Sequence, residues 1–273
     1  MNSPARAAAS PSGTQSIERV VNLLRVVASR GRNGMRLGEV SAATGLASST
    51  CFRMLQRLES EGMLERHPVT RKYALGPLLY ELGLLARPRF HLADRCKSTL
   101  AALAECTQDT VYLSERRGLE AVCSARALGD YPVKALTLDV GIRRPLGVGA
   151  GGLAILCALP PAEAEDIIEA HADSYPKLST LSASRVRDAV AQGREQGFAF
   201  WDAAVYPGTA AIGVTIPALP PMAAISVAAI SSRLDAERRQ LVAADLRHHA
   251  QVLGRLLQAA MAPGAGAPSL QRL

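Results

Sequence analysis

The apolar positions Ile17, Val20, Leu24 and Val27 recur at helical spacing and predict a first amphipathic helix, with Ser16 as its N-cap and Glu18 in its first turn. Gly31 and Gly34 end it. A shorter helix starts near Arg36, turns Leu37 and Val40 inward and stops at Gly45. The next helix opens at Ala47-Ser48 and runs to Ser60. Cys51, Leu55 and Leu58 form its buried stripe, and Ser49, Arg53 and Gln56 form the opposite one, with Phe52 beside it. Gly62 follows as a left-handed terminator. Two short strands are expected at 63–66 and 72–75, joined by a loop over 67–71 that holds Pro68. Residues 76–87 read as a helix with Pro77 near its start, closed by Pro88. It carries more leucines than one buried stripe needs, so Leu78, Leu79, Leu82 and Leu85 are expected to pack against a second subunit.

A second block begins near Phe90. Its pattern predicts a helix over 90–106, strands at 110–116 and 120–127 joined by a tight turn at Gly118, and a third strand at 133–138. A helix starts in the run Gly149–Gly152 and continues to about Leu159, and helical patterns return at 161–171 and 183–196. Strands are expected at 198–203, 209–216 and 223–230, and a long helix at 236–260. Three strands, helices, three strands and a helix indicate an α/β sensor domain with a mostly antiparallel sheet. The fold class is therefore α+β. The chain divides into a tail (1–14), a winged helix-turn-helix (15–76), a linker helix (77–88), the α/β sensor domain (89–261) and a second tail (262–273). Both tails are small, polar and proline-containing, which predicts disorder.

Charge sharpens this division. The formal net charge is +7 over 273 residues. Residues 1–86 hold 11 Lys and Arg against 6 Asp and Glu, whereas the remainder is nearly balanced. A basic amino-terminal block suits a polyanion, because phosphates neutralised by cations release their counterions. The five cysteines are odd in number and form no CxxC pair, so neither a disulfide framework nor a zinc site fits. Residues 1–14 do not form a secretory signal, and no apolar run is long enough to span a bilayer. The default location is the cytoplasm, with no membrane partner.

The helix pair from Leu37 to Leu58 has the geometry that inserts one helix into a major groove. Its second helix offers Ser48, Ser49, Thr50, Phe52, Arg53 and Gln56 to a duplex. Hydroxyls and free N–H groups at its start suit phosphates, and Arg53 and Gln56 are long enough to reach base edges. Arg71 and Lys72 would serve a wing. In the second block, Gly149, Ala150, Gly151 and Gly152 open a helix whose free N–H groups could take a carboxylate; small residues there also permit close helix–sheet packing. Arg143-Arg144 reads as a solvated turn that could assist an anionic ligand, and Arg116-Arg117 as a hairpin tip. Cys157 with His171 resembles a nucleophile and base only superficially, because Cys157 sits on an apolar helix. No catalytic set, metal motif or cofactor motif is found. An enzyme with an appended helix-turn-helix, or an architectural DNA binder without an effector, are the alternatives.

The runs SIERVVNLLRVVA, LGEVSAATGLASSTCFRMLQRLESEGML and RKYALGPLLYELG resemble the isocitrate-lyase-regulator (IclR) family of bacterial transcription regulators. The similarity continues through VGIRRPLGVGAGGLAILCALP, QGFAFWDAAVYPGTAAIGVTIPA and AAISVAAISSRL, and covers about residues 15–260. It implies a winged helix-turn-helix, a linker helix and a GAF-like effector domain. It also implies a homodimer or dimer of dimers on a double-stranded, palindromic operator, and regulation, more often repression, through a small organic acid. The family's recognition-helix serine, threonine and arginine fall on Ser49, Thr50 and Arg53. Its effector pocket maps to Leu146, Gly149–Gly152, Trp201, Asp202, Ala211, Ser226 and Ala228. The sequence departs from the family pattern at Trp201, where an acidic residue is frequent, at Ala211, where a cysteine is usual, and at Ala228-Ala229-Ile230, which replaces Ser-Gly-Pro. These changes predict a bulkier, less polar effector than a two- or three-carbon keto acid.

Overall fold

A computed structural model describes residues 14–86, 92–217 and 223–261. They fall into two compact units, 14–86 and 92–261. The expected tails lie outside the described residues apart from Thr14, as do the ends of the predicted helices at 87–91.

In the first unit, α1 (Gln15–Ala28), α2 (Leu37–Thr44) and α3 (Ser48–Ser60) precede a hairpin of β1 (Leu64–Arg66) and β2 (Tyr73–Leu75), and α4 (Pro77–Ala86) closes it. The core holds Leu23, Val27, Met35, Val40, Cys51, Leu55, Leu58, Leu64 and Tyr73. Two sequence expectations shift here. Helix α1 starts two residues earlier, with Thr14 at its cap, so Ser16 lies inside the helix. Ile17 is exposed: the covered stripe centres on Leu23 and Val27, and the first turn lies beyond it. Gly62 has φ of +72°, as expected of a terminator, and its carbonyl accepts from the Leu78 N–H at 3.1 Å. Helix α4 has no buried residue within the chain; Leu82 and Leu85 are exposed, and Leu78 and Leu79 half-buried.

The second unit starts with α5 (Leu92–Thr107), β3 (Thr110–Arg117), β4 (Glu120–Leu128) and β5 (Arg143–Pro145). Helices α6 (Ala150–Ala158), α7 (Pro161–Ala170), α8 (Tyr175–Leu178) and α9 (Ala183–Gln196) follow. Strands β6 (Ala199–Asp202), β7 (Thr209–Thr215) and β8 (Ala223–Ile230) lead to α10 (Ala236–Met261). The sheet order is β5-β4-β3-β8-β7-β6, and every pairing is antiparallel. One apolar cluster packs α5 and α10 on one sheet face, through residues such as Leu103, Leu113, Ile225 and Leu246. A second packs α6, α7 and α9 on the other, through Leu153, Ile167, Val186 and Trp201.

The expected strand at 133–138 does not form. Its alternating pattern comes from irregular chain that turns Ala135 inward, where the Tyr112 hydroxyl donates to the Ala135 carbonyl at 2.8 Å and accepts from the Thr137 N–H at 3.1 Å. The edge strand is instead Arg143–Pro145, so Arg143-Arg144 is not a turn. Its shortness and charge suit an edge. Between Leu113 and Ser114 the β3–β4 register shifts: Leu113 faces Ala125 and Ser114 faces Cys123, leaving Ser124 as a bulge.

Asp109 stabilises the far end of this unit. It is buried, and its carboxylate accepts from Arg233 at 3.0 Å and Arg238 at 2.7 Å. Both guanidinium groups also donate to the Thr107 carbonyl, and that of Arg233 stacks 3.6 Å from the centre of the Tyr131 ring.

Candidate nucleic-acid interface and effector pocket

Helix α3 is amphipathic because Cys51, Leu55 and Leu58 recur one turn apart, and all three are buried. Covering each of the two leucines is worth roughly 1.5–3 kcal/mol and fixes which face is left outward. That outward face carries Ser48, Ser49, Arg53 and Gln56, all exposed, with Thr50 and Phe52 half-buried at its margin. No side chain caps the helix start, so its first N–H groups remain available. The turn into α3 is held from below. Ser41 Oγ donates to the Leu46 carbonyl at 2.7 Å and lies 3.3 Å from Ser48 Oγ, a positioning contact that periodicity did not single out. Arg53 has no ion-pair partner among the described residues, whereas Arg57 pairs with Glu61 one turn on.

The wing is shorter than expected: β1 and β2 have three residues each, and Lys72 precedes β2 rather than lying in it. His67 organises the loop. Its Nδ1 accepts from the N–H groups of Val69 and Thr70, both at 3.2 Å, and its own N–H donates to the Lys72 carbonyl at 2.8 Å. The turn forces Arg71 into a left-handed conformation (φ +57°) and leaves it exposed; Lys72 is half-buried. Beneath them the Arg66 guanidinium lies 5.2 Å from the centre of the buried Tyr73 ring.

In the second unit a pocket opens where the start of α6 meets one face of the sheet. Close approach at this point depends on glycine. A Cβ on Gly213 would meet the Ala150 carbonyl at 2.5 Å, and one on Gly151 would meet Ser114 Oγ at 2.5 Å. Gly149 caps α6 at φ +83°, and no side chain satisfies the helix start. The preceding segment is pinned by two buried aromatics: Trp201 Nε1 donates to the Gly147 carbonyl at 2.9 Å, and the Tyr175 hydroxyl to that of Leu146 at 2.8 Å. Burial pushes the Tyr175 hydroxyl up to about 12, so it remains a donor.

Eight of the ten residues expected in the pocket line it: Gly149, Ala150, Gly151, Gly152, Trp201, Ala211, Ser226 and Ala228. The other two do not. Leu146 is fully buried in the helical cluster, where its carbonyl accepts from the Tyr175 hydroxyl. Asp202 is exposed, alternating away from Trp201 along β6, and accepts from Ser231 Oγ at 2.6 Å. Sequence reasoning missed Tyr112 and Ser114 of β3, Thr137, and Ala204-Val205 of the loop after β6, and named Arg144 only as a turn residue that could assist an anionic ligand. Alternation along β3 would have flagged Tyr112 with Ser114 once the sheet face was known. Arg144 was placed in a turn because its strand has only three residues.

Cys157 and His171 have separate partners. The thiol points to the Val190 carbonyl at 3.7 Å, with burial pushing it up to about 11, and His171 Nε2 lies 2.9 Å from the Leu119 carbonyl. Among the described residues no cluster of three or more His, Cys, Asp or Glu could hold a metal, and no helix is long and apolar enough to cross a membrane.

Comparison with known proteins agrees with both units. Residues 16–68 match the IclR helix-turn-helix domain, and residues 86–255 match the bacterial transcriptional regulator IclR C-terminal domain. The HTH-type transcriptional regulator XynR of Escherichia coli K12 is 26% identical over 224 residues, 81% of this chain and 88% of that protein. Rv1719 of Mycobacterium tuberculosis is 30% identical over 180 residues, 66% of this chain and 65% of that one. The DNA-binding transcriptional repressor YiaJ of Escherichia coli K12 is 26% identical over 192 residues, 69% and 68% of the two chains. Among solved structures, an IclR transcriptional regulator from Alicyclobacillus acidocaldarius shares the fold, with a TM-score of 0.72 at 21% identity over 89% of this chain and 99% of that one. So does an IclR homologue from Microbacterium hydrocarbonoxydans complexed with 4-hydroxybenzoate, with a TM-score of 0.69 at 20% identity over 89% and 99%. A helix-turn-helix domain joined to an IclR effector domain across nearly all of the described chain places this protein in the IclR family of bacterial transcriptional regulators.

Proposed function

We propose that this regulator grips a palindromic operator through α3 and the wing, as a dimer or dimer of dimers, and that a small organic acid in the α6 pocket releases it as a repressor. The carrying observation is the polarity of α3: its apolar stripe is buried, while Ser48, Ser49, Arg53 and Gln56 face outward beside an uncapped helix start. In this reading Arg53 and Gln56 contact base edges; Ser48, Ser49 and Thr50 contact phosphates; Phe52 packs at the margin; and Arg71 and Lys72 track the flanking backbone. The exposed leucines of α4 supply the contact between subunits, and two copies of α3 then read two half-sites. Repression is favoured by the likeness to YiaJ.

The pocket supports the second half of the reading. It combines apolar walls, buried hydroxyls and an uncapped helix start, which suit a carboxylate on an apolar body. A ligand can act only by binding the DNA-competent and incompetent arrangements with different strength. No group of residues in the described pocket forms a nucleophile–base or acid–base pair, which favours sensing over turnover. A protein working this way functions in the cytoplasm, with DNA.

The test is fluorescence anisotropy of the full chain on duplex DNA from upstream of its own gene. Arg53→Ala is expected to lose about 1–3 kcal/mol of affinity. Unchanged affinity removes Arg53 from the recognition surface.

A further inference from the structure

Among the described residues the pocket contains one charge, and it has no counterpart. Arg144 enters from β5, where it pairs across the ladder with Ala121 of β4, itself a lining residue. The neighbouring arginines all have carboxylates: Arg116 meets Glu163 at 2.6 Å, Arg117 meets Glu115 at 2.7 Å, Arg126 meets Asp139 at 3.0 Å and Arg143 meets Glu120 at 2.9 Å. Arg144 has no carboxylate partner among the described residues, and no Asp or Glu lines the pocket. Its guanidinium is held by neutral acceptors only, donating to the Thr137 carbonyl at 2.6 Å and to the Tyr206 hydroxyl at 3.2 Å. It also lies 5.6 Å from the centre of the Tyr206 ring. A half-buried cation so held, but not neutralised, is a pre-organised anion receptor whose Nη1 and Nε donors remain for a carboxylate.

Across the sheet lies a second polar end. Ser114 of β3 and Ser226 of β8 are each 5% exposed and line the pocket, and neither hydroxyl has a hydrogen-bond partner among the described residues. They stand beneath the uncapped start of α6. With the order β5-β4-β3-β8, the backbone of Arg144 lies two strands from Ser114, roughly 10 Å. Both ends present donors, and the apolar side chains of Leu138, Val205 and Trp201 help to wall the space.

We propose that Arg144 is the effector's counter-charge and sets its class: an acid with an apolar body, its carboxylate against Arg144 and a second oxygen acceptor against Ser114 and Ser226. This assignment rests on the effector-pocket reading above. Tyr206 is a positioning residue: with the Thr137 carbonyl it holds Nη2 of the guanidinium, leaving Nη1 and Nε to meet the carboxylate.

Calorimetry on the full chain with three probes tests it: benzoate, 4-hydroxybenzoate and the neutral isostere benzamide. The expected order is 4-hydroxybenzoate tightest, then benzoate, with benzamide at least 10-fold weaker than benzoate. Arg144→Gln should weaken both acids at least 10-fold and erase their advantage over benzamide. Arg144→Lys should restore part of it, and Tyr206→Phe should weaken the acids by a few-fold, with unliganded melting temperatures showing that the variants fold. If Arg144→Gln binds the acids as the parent does while Ser226→Ala weakens them, the Arg144 assignment is overturned and the pocket reading stands. Equal binding of benzoate and benzamide by the parent overturns the assignment too. If neither acid binds the parent, both the assignment and the organic-acid reading fall.

Discussion

The two regions that matter most are built in opposite ways. The proposed DNA-facing surface is one face of one helix, with its polar groups exposed and supported from behind by three buried side chains. The pocket is assembled from β3, β4, β5, α6, β6, β7, β8 and three loops, with the hydroxyls of Ser114 and Ser226 buried and, among the described residues, its only charge held by neutral acceptors. The first can be altered residue by residue at little cost to folding. The second cannot, because its walls are also the core of the unit. Mutations should therefore separate into those that change grip without stability and those that change both.

The largest expected effect lies in the second unit and away from both sites. Asp109→Ala leaves Arg233 and Arg238 without their shared buried carboxylate and should cost about 3–5 kcal/mol, read as a fall in the thermal or denaturant midpoint of that unit. A negligible change would show that the buried ion network is not what holds the ends of β3 and α10 together. Next, Gly213→Ala forces a methyl against the Ala150 carbonyl and should push α6 off the sheet, destabilising by about 1–3 kcal/mol and blunting any ligand response. On the other region, Gln56→Ala should lower operator affinity with the melting temperature unchanged, by about 1–3 kcal/mol if it pairs with a base. Equal losses on specific and random duplexes would reassign it to the phosphate backbone.

Titration offers a further test. Burial pushes the thiols of Cys96, Cys123 and Cys157 up to about 11. A group whose folded value is raised adds stability that is fully present below its unfolded value, here 9.0, and is lost as pH climbs through the folded one. The second unit should hold a level stability from pH 7 to about 9 and lose it towards 11. Serine at all three positions should flatten that decline. The first unit's buried thiol, Cys51, is raised by burial as well.

This contrast also explains what could be read from sequence. Helix α3 was legible because its cause is local: Cys51, Leu55 and Leu58 declare the buried face, and Ser49, Arg53 and Gln56 follow on the other. The glycine run of α6 was legible as a helix start open to an anion, whereas the β8 positions Ser226 and Ala228 came through resemblance to a family and not through periodicity. Arg144 was misplaced, because a three-residue edge strand has no pattern to detect. The alternation at 133–138 mimicked a strand while its backbone was pinned by a tyrosine from β3, a contact made over 23 residues of chain. Asp202 looked like a substitute for a missing pocket acid, but strand alternation turns it to solvent when Trp201 points inward.

The central claim is that the exposed face of α3, with the wing, holds duplex DNA through phosphates and bases. The most direct test is the salt dependence of binding by the full chain to the duplex upstream of its own gene. The logarithm of affinity should fall linearly with the logarithm of salt, and Arg71→Ala should reduce that slope by about one. Binding indifferent to salt, or a slope that Arg71→Ala and Arg53→Ala both leave untouched, would contradict it.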